Sequence, residues 1–221
     1  MALTEKLAAI GDAIREKTGS TDKLTLAQMP DAIASIETGG AGWTEEQVVG
    51  LFNRTGTTYS IPDGAQQIPT EMFSMMPITQ ITIPDNITLI GDSAFAYTHI
   101  TSIDIPDTVT EIYGRVFLSC SQLKVAKLPV NPNYTTIWNS LFASCTSLES
   151  ISIPQYIQRI NGSAFFKCTS LKSITLPASI TYIHAEAFSE SGLEHIYVPW
   201  AEGTVANAPW GATNATIHYN S

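Results

Sequence analysis

The sequence predicts a solenoid of about seven repeats of 22–25 residues, mostly β with short helical turns, preceded by a small N-terminal helical hairpin. Three observations predict it. Proline recurs at Pro62, Pro84, Pro106, Pro129, Pro154, Pro177 and Pro199, at steps of 22, 22, 23, 25, 23 and 22 residues. An aromatic residue follows each proline: Phe73, Phe95, Phe117, Phe165, Phe188 and Trp210 stand eleven residues on, and Phe142 thirteen. Between proline and aromatic run short alternations of apolar and polar residues, the period of half-buried strands. A unit of this length cannot bury its own apolar face, so it must stack on neighbours that share one core.

The hairpin comes first, over residues 1–37. Leu3, Leu7, Ile10 and Ile14 fall on one helical stripe, Lys17 lies in the last turn, and Gly19 follows as a stop. A second short helix runs from about Pro30, which suits a first-turn position, to Ile36. Thr38-Gly39-Gly40-Ala41-Gly42 is a flexible linker, residues 38–42. Residues 43–60 are expected to cap the first repeat, with Thr44 and Gln47 forming a capping box. The solenoid then spans 61–199, and residues 200–221 form the C-terminal cap or last repeat.

Residues 171–193 show one unit at its cleanest. Ile174-Thr175-Leu176 reads as a strand, and Pro177 ends it because proline offers no N–H to a ladder. Ile180-Thr181-Tyr182-Ile183 is a second short alternation, and Ala185-Glu186-Ala187-Phe188 is expected to be one helical or 3₁₀ turn. Leu171, Ile174, Leu176, Ile180, Ile183, Ala187 and Phe188 should point inward, as should Ile100, Ile103, Ile105, Val109, Ile112, Val116 and Phe117 three units earlier. The fourth unit carries an insertion at Val130-Asn131-Pro132-Asn133-Tyr134, expected to bulge outward as a loop. Cys120, Cys145 and Cys168 each lie three residues after their phenylalanine, a small-residue packing column shared with Met76, Thr98 and Ser191.

Composition excludes several classes. The formal net charge is −9: residues 1–42 carry four basic and six acidic groups, residues 43–221 seven and fourteen. Neither part offers the basic surface that nucleic acid requires. No stretch approaches the ~20 apolar residues of a membrane span. GxGxxG, Walker, HExxH and GxSxG sequences are absent, and His99, His184, His195 and His218 form no recognisable ligand set, so no catalytic residue, cofactor or metal site is assigned.

Ile151-Ser152-Ile153-Pro154, with Ile160-Asn161-Gly162-Ser163-Ala164-Phe165-Phe166-Lys167-Cys168-Thr169-Ser170-Leu171, resembles the BspA-type leucine-rich repeat, over roughly residues 60–200. The resemblance implies a right-handed curved solenoid whose first strand lines the concave side. It also implies a surface protein that adheres to host proteins or other cells, without enzyme activity. Separately, the stretch from Leu3 to Gly19 and Lys23-Leu24-Thr25-Leu26-Ala27-Gln28-Met29-Pro30 resemble a leader of phage tail and virion proteins from Gram-positive gut bacteria, and the ending from Trp210 to Tyr219 resembles the close of phage-encoded repeat proteins. That implies a virion component whose solenoid contacts a host cell-surface glycan or protein; the apolar stripe of the hairpin is expected to dock either onto the solenoid or onto other virion proteins or copies of itself, the last giving a homo-oligomer. The alternative is a bacterial surface or effector protein binding a protein partner.

The alternation nominates the binding face. Outward positions of the first strand hold Gln80 and Thr82, Ser102 and Asp104, Val125 and Lys127, Ser150 and Ser152, Ser173 and Thr175, and His195 and Tyr197. Asp104 and Lys127 are expected to pair across adjacent strands. Tyr197, His195 and Trp200 near the C-terminal end, and Tyr134 on the inserted loop, are the aromatic contact candidates.

Overall fold

The computed structural model describes residues 58–220. The predicted hairpin, linker and most of the N-terminal cap lie outside the described residues. Two rows of parallel strands, a long ladder and a short ladder, run along the stack, and their pairing divides the long one into three sheets and the short one into two. The long ladder comprises Thr58–Ser60, Gln80–Thr82, Ser102–Asp104, Val125–Lys127, Ser150–Ser152, Ser173–Thr175, His195–Val198 and Thr216–Tyr219. The short ladder comprises Gln67–Ile68, Leu89–Ile90, Glu111–Ile112, Thr136–Ile137, Arg159–Ile160 and Tyr182–Ile183. Every pairing is parallel and joins equivalent positions, such as Ile103 to Ala126 to Ile151 and Ile174 to Ile196. The long ladder thus begins at Thr58, inside the segment expected to be a cap, and reaches Tyr219 beyond the last repeat proline.

All fourteen residues predicted to point inward in the two units above are buried. The six phenylalanines stack face to face, with successive centroids 5.3, 5.8, 5.3, 5.6 and 5.5 Å apart. Tyr59 meets the first edge-on at 6.5 Å, and Trp210 meets the last edge-on at 6.4 Å. Offset or edge contacts of this kind add to the area each ring buries.

The turn around each phenylalanine is not the predicted helical turn, and the described residues contain no helix. The residues two before and two after the ring take positive φ in most units: Glu71 and Met75, Ser93 and Tyr97, Arg115 and Ser119, Ser140 and Ser144, Ser163 and Lys167. Consecutive N–H groups therefore point in different directions. Ala94, Ala96 and Thr98 donate three residues back along their own chain, whereas Ser93, Phe95 and Tyr97 donate to Gly114, Val116 and Leu118 of the next unit. A helix would send every N–H back along its own chain and leave the units unjoined. Here the turns bind adjacent units to one another, and every such inter-unit bond runs from a unit to the one after it. The series closes at Trp210, whose carbonyl accepts from Phe188 while its own N–H turns back to Asn207.

The cysteine column does more than fill space. Cys120, Cys145 and Cys168 are buried and free, and each thiol donates to the carbonyl of the preceding unit's phenylalanine, Phe95, Phe117 and Phe142, at 3.1 Å. Burial pushes the Cys120 thiol up to about 11 and Cys168 to about 12, and raises Cys145 well above its ordinary value. All three should therefore resist iodoacetamide at pH 8 and react only after denaturation, as mass spectrometry would show. The sign of the linkage follows. A native thiol that holds its proton more tightly than the unfolded one stabilises the fold below the ordinary value of 9.0, and that stability is lost as pH rises above it.

Candidate functional site

The nominated residues of the long ladder form one continuous outward face. Gln80, Thr82, Ser102, Asp104, Val125, Lys127, Ser150, Ser152, Ser173, Thr175, His195 and Tyr197 are all exposed, while the residue between each pair faces the core. Asp104 and Lys127 are register partners and form a 2.9 Å ion pair, with side chains 69% and 57% exposed. Such a solvated pair orders the surface and adds little to stability. Beside it lies a shallow cleft of about 650 Å³, lined by Thr82, Asp85, Asp104, Asp107 and Lys127 among others.

The C-terminal end of this face is different in kind. His195 Nδ1 and His218 Nε2 stand 3.1 Å apart, and the Tyr197 ring stacks on His218 with centroids at 4.5 Å and planes at 13°. Tyr197 is 43% exposed, so its ring remains open to contact. His218 was not among the sequence candidates. The signal was present: Thr216-Ile217-His218 repeats the alternation of His195-Ile196-Tyr197 and pairs with it in register. Trp200 does not join this group; it is half-buried against the core.

Tyr134, expected on the surface of the inserted loop, points into the core instead. It is 2% exposed and cannot serve as a loop contact. Its N–H bonds to Asn131, the bond that Val109 and Ile157 make to Pro106 and Pro154, so Tyr134 occupies an Ile/Val core column. The inserted residues before it are tied down instead: Asp107 accepts from Val130 N–H at 2.8 Å and from the Asn131 side chain at 2.7 Å. The Tyr134 hydroxyl has no hydrogen-bond partner, and burial raises its pKa. Tyr134→Phe should therefore be neutral or stabilising by about 1 kcal/mol, because a buried orphan hydroxyl costs more than it returns. Thermal unfolding would read this as an unchanged or higher Tm.

A second group also escaped the sequence reading. Tyr113 and Trp138 follow the buried Ile112 and Ile137 of the short ladder, in consecutive units, and are 41% and 43% exposed. One and two units on, the Arg159 guanidinium lies 4.3 Å over the Tyr182 ring. Among the described residues no group of three or more His, Cys, Asp or Glu side chains is placed to hold a metal ion.

Residues 51–145 and 135–206 match the BspA type leucine rich repeat region, in six copies. No curated protein matches the chain. Among solved structures, it is similar to a leucine-rich repeat protein from Bacteroides ovatus at 26% identity and TM-score 0.58, covering 66% of this chain and 44% of that one. It is similar to another from Eubacterium ventriosum at 28% identity and TM-score 0.50, covering 63% and 44%. A leucine-rich repeat protein of T. pallidum shares the fold at 22% identity and TM-score 0.60, covering 73% and 78%. The chain thus spans less than half the length of the first two. With a repeat match over the greater part of its length and a solenoid of the same kind, the chain belongs to the BspA type leucine-rich repeat family.

Proposed function

We infer that the solenoid is the binding module of a bacterial cell-surface adhesion protein, and that it engages a protein partner through the C-terminal end of the long ladder. Leucine-rich repeat solenoids are in general binding proteins rather than enzymes, and a parallel stack builds an extended surface. The observation that carries the site is the exposed His195–Tyr197–His218 ring group, because aromatic anchors dominate protein interfaces while short polar side chains contribute mainly complementarity. The remaining outward residues, Gln80, Thr82, Ser102, Asp104, Lys127, Ser150, Ser152, Ser173 and Thr175, would form the polar rim and its approach.

The test is retention of the fluorescently labelled protein on intact epithelial cells, with and without prior protease treatment. Tyr197→Ala combined with His218→Ala should lower retention at least tenfold, and protease treatment of the cells should abolish it. Equal retention by the variant, or retention that survives proteolysis, overturns the reading.

A second reading mounts the same module on a virion. The phage-like sequence of residues 3–30 and the ending Trp210–Tyr219 favour it, with residues 1–37 as the attachment or oligomerisation segment. Deleting residues 1–40 should then abolish oligomers in light scattering and incorporation into particles. An unchanged mass and continued incorporation would remove this reading.

A further inference from the structure

We propose that the solenoid carries a second binding site, for a neutral oligosaccharide, where the short ladder is broken between its third and fourth strands. The short ladder pairs from Gln67–Ile68 through Glu111–Ile112 and again from Thr136–Ile137 through Tyr182–Ile183, with no pairing between these two sheets. Intact steps share a fixed set of bonds. Thr110 and Glu111 N–H reach Thr88 and Tyr113 N–H reaches Ile90; Gln158 and Arg159 reach Thr135 and Asn161 reaches Ile137. The equivalent bonds across the break would run from Thr135 and Thr136 to Thr110 and from Trp138 to Ile112. None of them forms. The break coincides with the two-residue insertion of the fourth unit, whose loop is held to Asp107 on the unit before.

The consequence is that the N–H groups of Thr135, Thr136 and Trp138 make no bond across the break to the unit before. Trp138 is exposed and Thr110, Thr135 and Thr136 are half-exposed, so the groups on these residues lie at the surface, whereas the Ile112 carbonyl belongs to a fully buried residue. On the two lips stand Tyr113 and Trp138. The same position holds Pro69, Gly91, Asn161 and His184 in the other units, so the exposed aromatic rings of this column are confined to the two units beside the break. Tyr113 is held in place by its hydroxyl, which donates to Glu111 Oε2 at 2.9 Å.

Flat exposed rings next to N–H groups that make no bond across the break match the two surfaces of a pyranose, an apolar C–H face and a rim of hydroxyls. Charge decides the kind of glycan. The chain carries a net charge of −9 and Glu111 lies within the patch, so a polyanionic glycan would be repelled and a neutral one accepted. A peptide added as a strand fits less well, because the strands beside the break, Glu111–Ile112 and Thr136–Ile137, offer edges of only two residues each. This site lies on the other ladder from the His195–Tyr197–His218 group and stands independently of it.

The full chain is titrated with neutral gluco-, manno-, galacto- and N-acetylglucosamine oligosaccharides, and with sialylated and uronate oligosaccharides and a random peptide library alongside. At least one neutral oligosaccharide should bind. Trp138→Ala and Tyr113→Ala should each weaken it at least tenfold, while Tyr197→Ala leaves it unchanged. Both rings are exposed, so the variants should keep the wild-type Tm. As an independent readout on the unaltered protein, the bound oligosaccharide should protect Trp138 from oxidation by N-bromosuccinimide, read by mass spectrometry. Absence of neutral-glycan binding, binding only of the acidic set, binding indifferent to Trp138, or capture of peptides in place of glycans each overturns the proposal. Loss of binding in Tyr197→Ala would instead move the glycan to the long ladder and likewise overturn it.

Discussion

Phe117→Ala is expected to cost about 3–5 kcal/mol and to change the shape of unfolding as well as its midpoint. The ring lies between Phe95 at 5.8 Å and Phe142 at 5.3 Å and is fully buried. Its removal leaves a void walled by two other units, which are fixed by their own ladders and cannot close over it. The coupling between units is the main source of cooperativity in a stack, since each unit touches only its neighbours. Urea denaturation should therefore show a lower midpoint and a shallower or two-step transition, with units on either side of the void melting separately. Phe117→Leu, which keeps most of the volume, should lose far less. A single transition shifted by less than about 1 kcal/mol would show that the ring column is not where the units are coupled.

Gly192→Ala is the second large effect, and it arises from backbone approach rather than from a cavity. An added Cβ would stand 1.9 Å from the Thr169 carbonyl oxygen and 2.7 Å from its carbon. The reason lies in the count of residues. From Phe165 the chain takes six residues to reach Leu171, but from Phe188 only five to reach Leu193, so the shorter return is drawn against the longer one beneath it. Gly192 N–H also bonds to Cys168 at 3.0 Å, which fixes the approach. Relief requires moving backbone, so the cost should reach about 3 kcal/mol, the upper part of the range for overpacking. Gly203 supplies the contrast within the same protein. No atom lies within 4 Å of a Cβ there, and only its positive φ of 82° opposes a side chain. Comparing the Tm of Gly192→Ala and Gly203→Ala checks the argument, and equal losses would refute it.

Much of the architecture is legible because it follows from period. The proline and phenylalanine positions determine the stack, the cysteine column and the outward residues of the long ladder, down to the Asp104–Lys127 pair. The hand of the phenylalanine turns was not legible. Serine, arginine and glutamate at Ser93, Arg115 and Glu71 give no local sign of positive φ, which is imposed by the bonds to the neighbouring unit. Tyr134 was misplaced for a related reason: an insertion lengthens the chain, but which residue re-enters the core depends on where the next turn closes. The Tyr113–Trp138 pair was visible as letters in the sequence, yet it becomes a site only once a break between two strands is seen beside it.

The one-way bonding of the phenylalanine turns gives the stack a vectorial electrostatic character. In an ordinary sheet the peptide dipoles alternate and largely cancel. Here successive turn carbonyls face the N-terminal end and the N–H groups joined to them face the C-terminal end, so their dipoles sum along the axis as they do in a helix, but in the opposite sense relative to chain direction. A whole unit can be duplicated inside the stack without disturbing this polarity. The two ends are not interchangeable: the last unit must offer carbonyls inward and satisfy its own N–H groups locally, as Trp210 and Ala212 do by bonding back to Asn207 and Pro209. A Phe-type unit moved to that position would expose unpaired donors, so lengthening this protein by duplication is expected to succeed only upstream of Trp210.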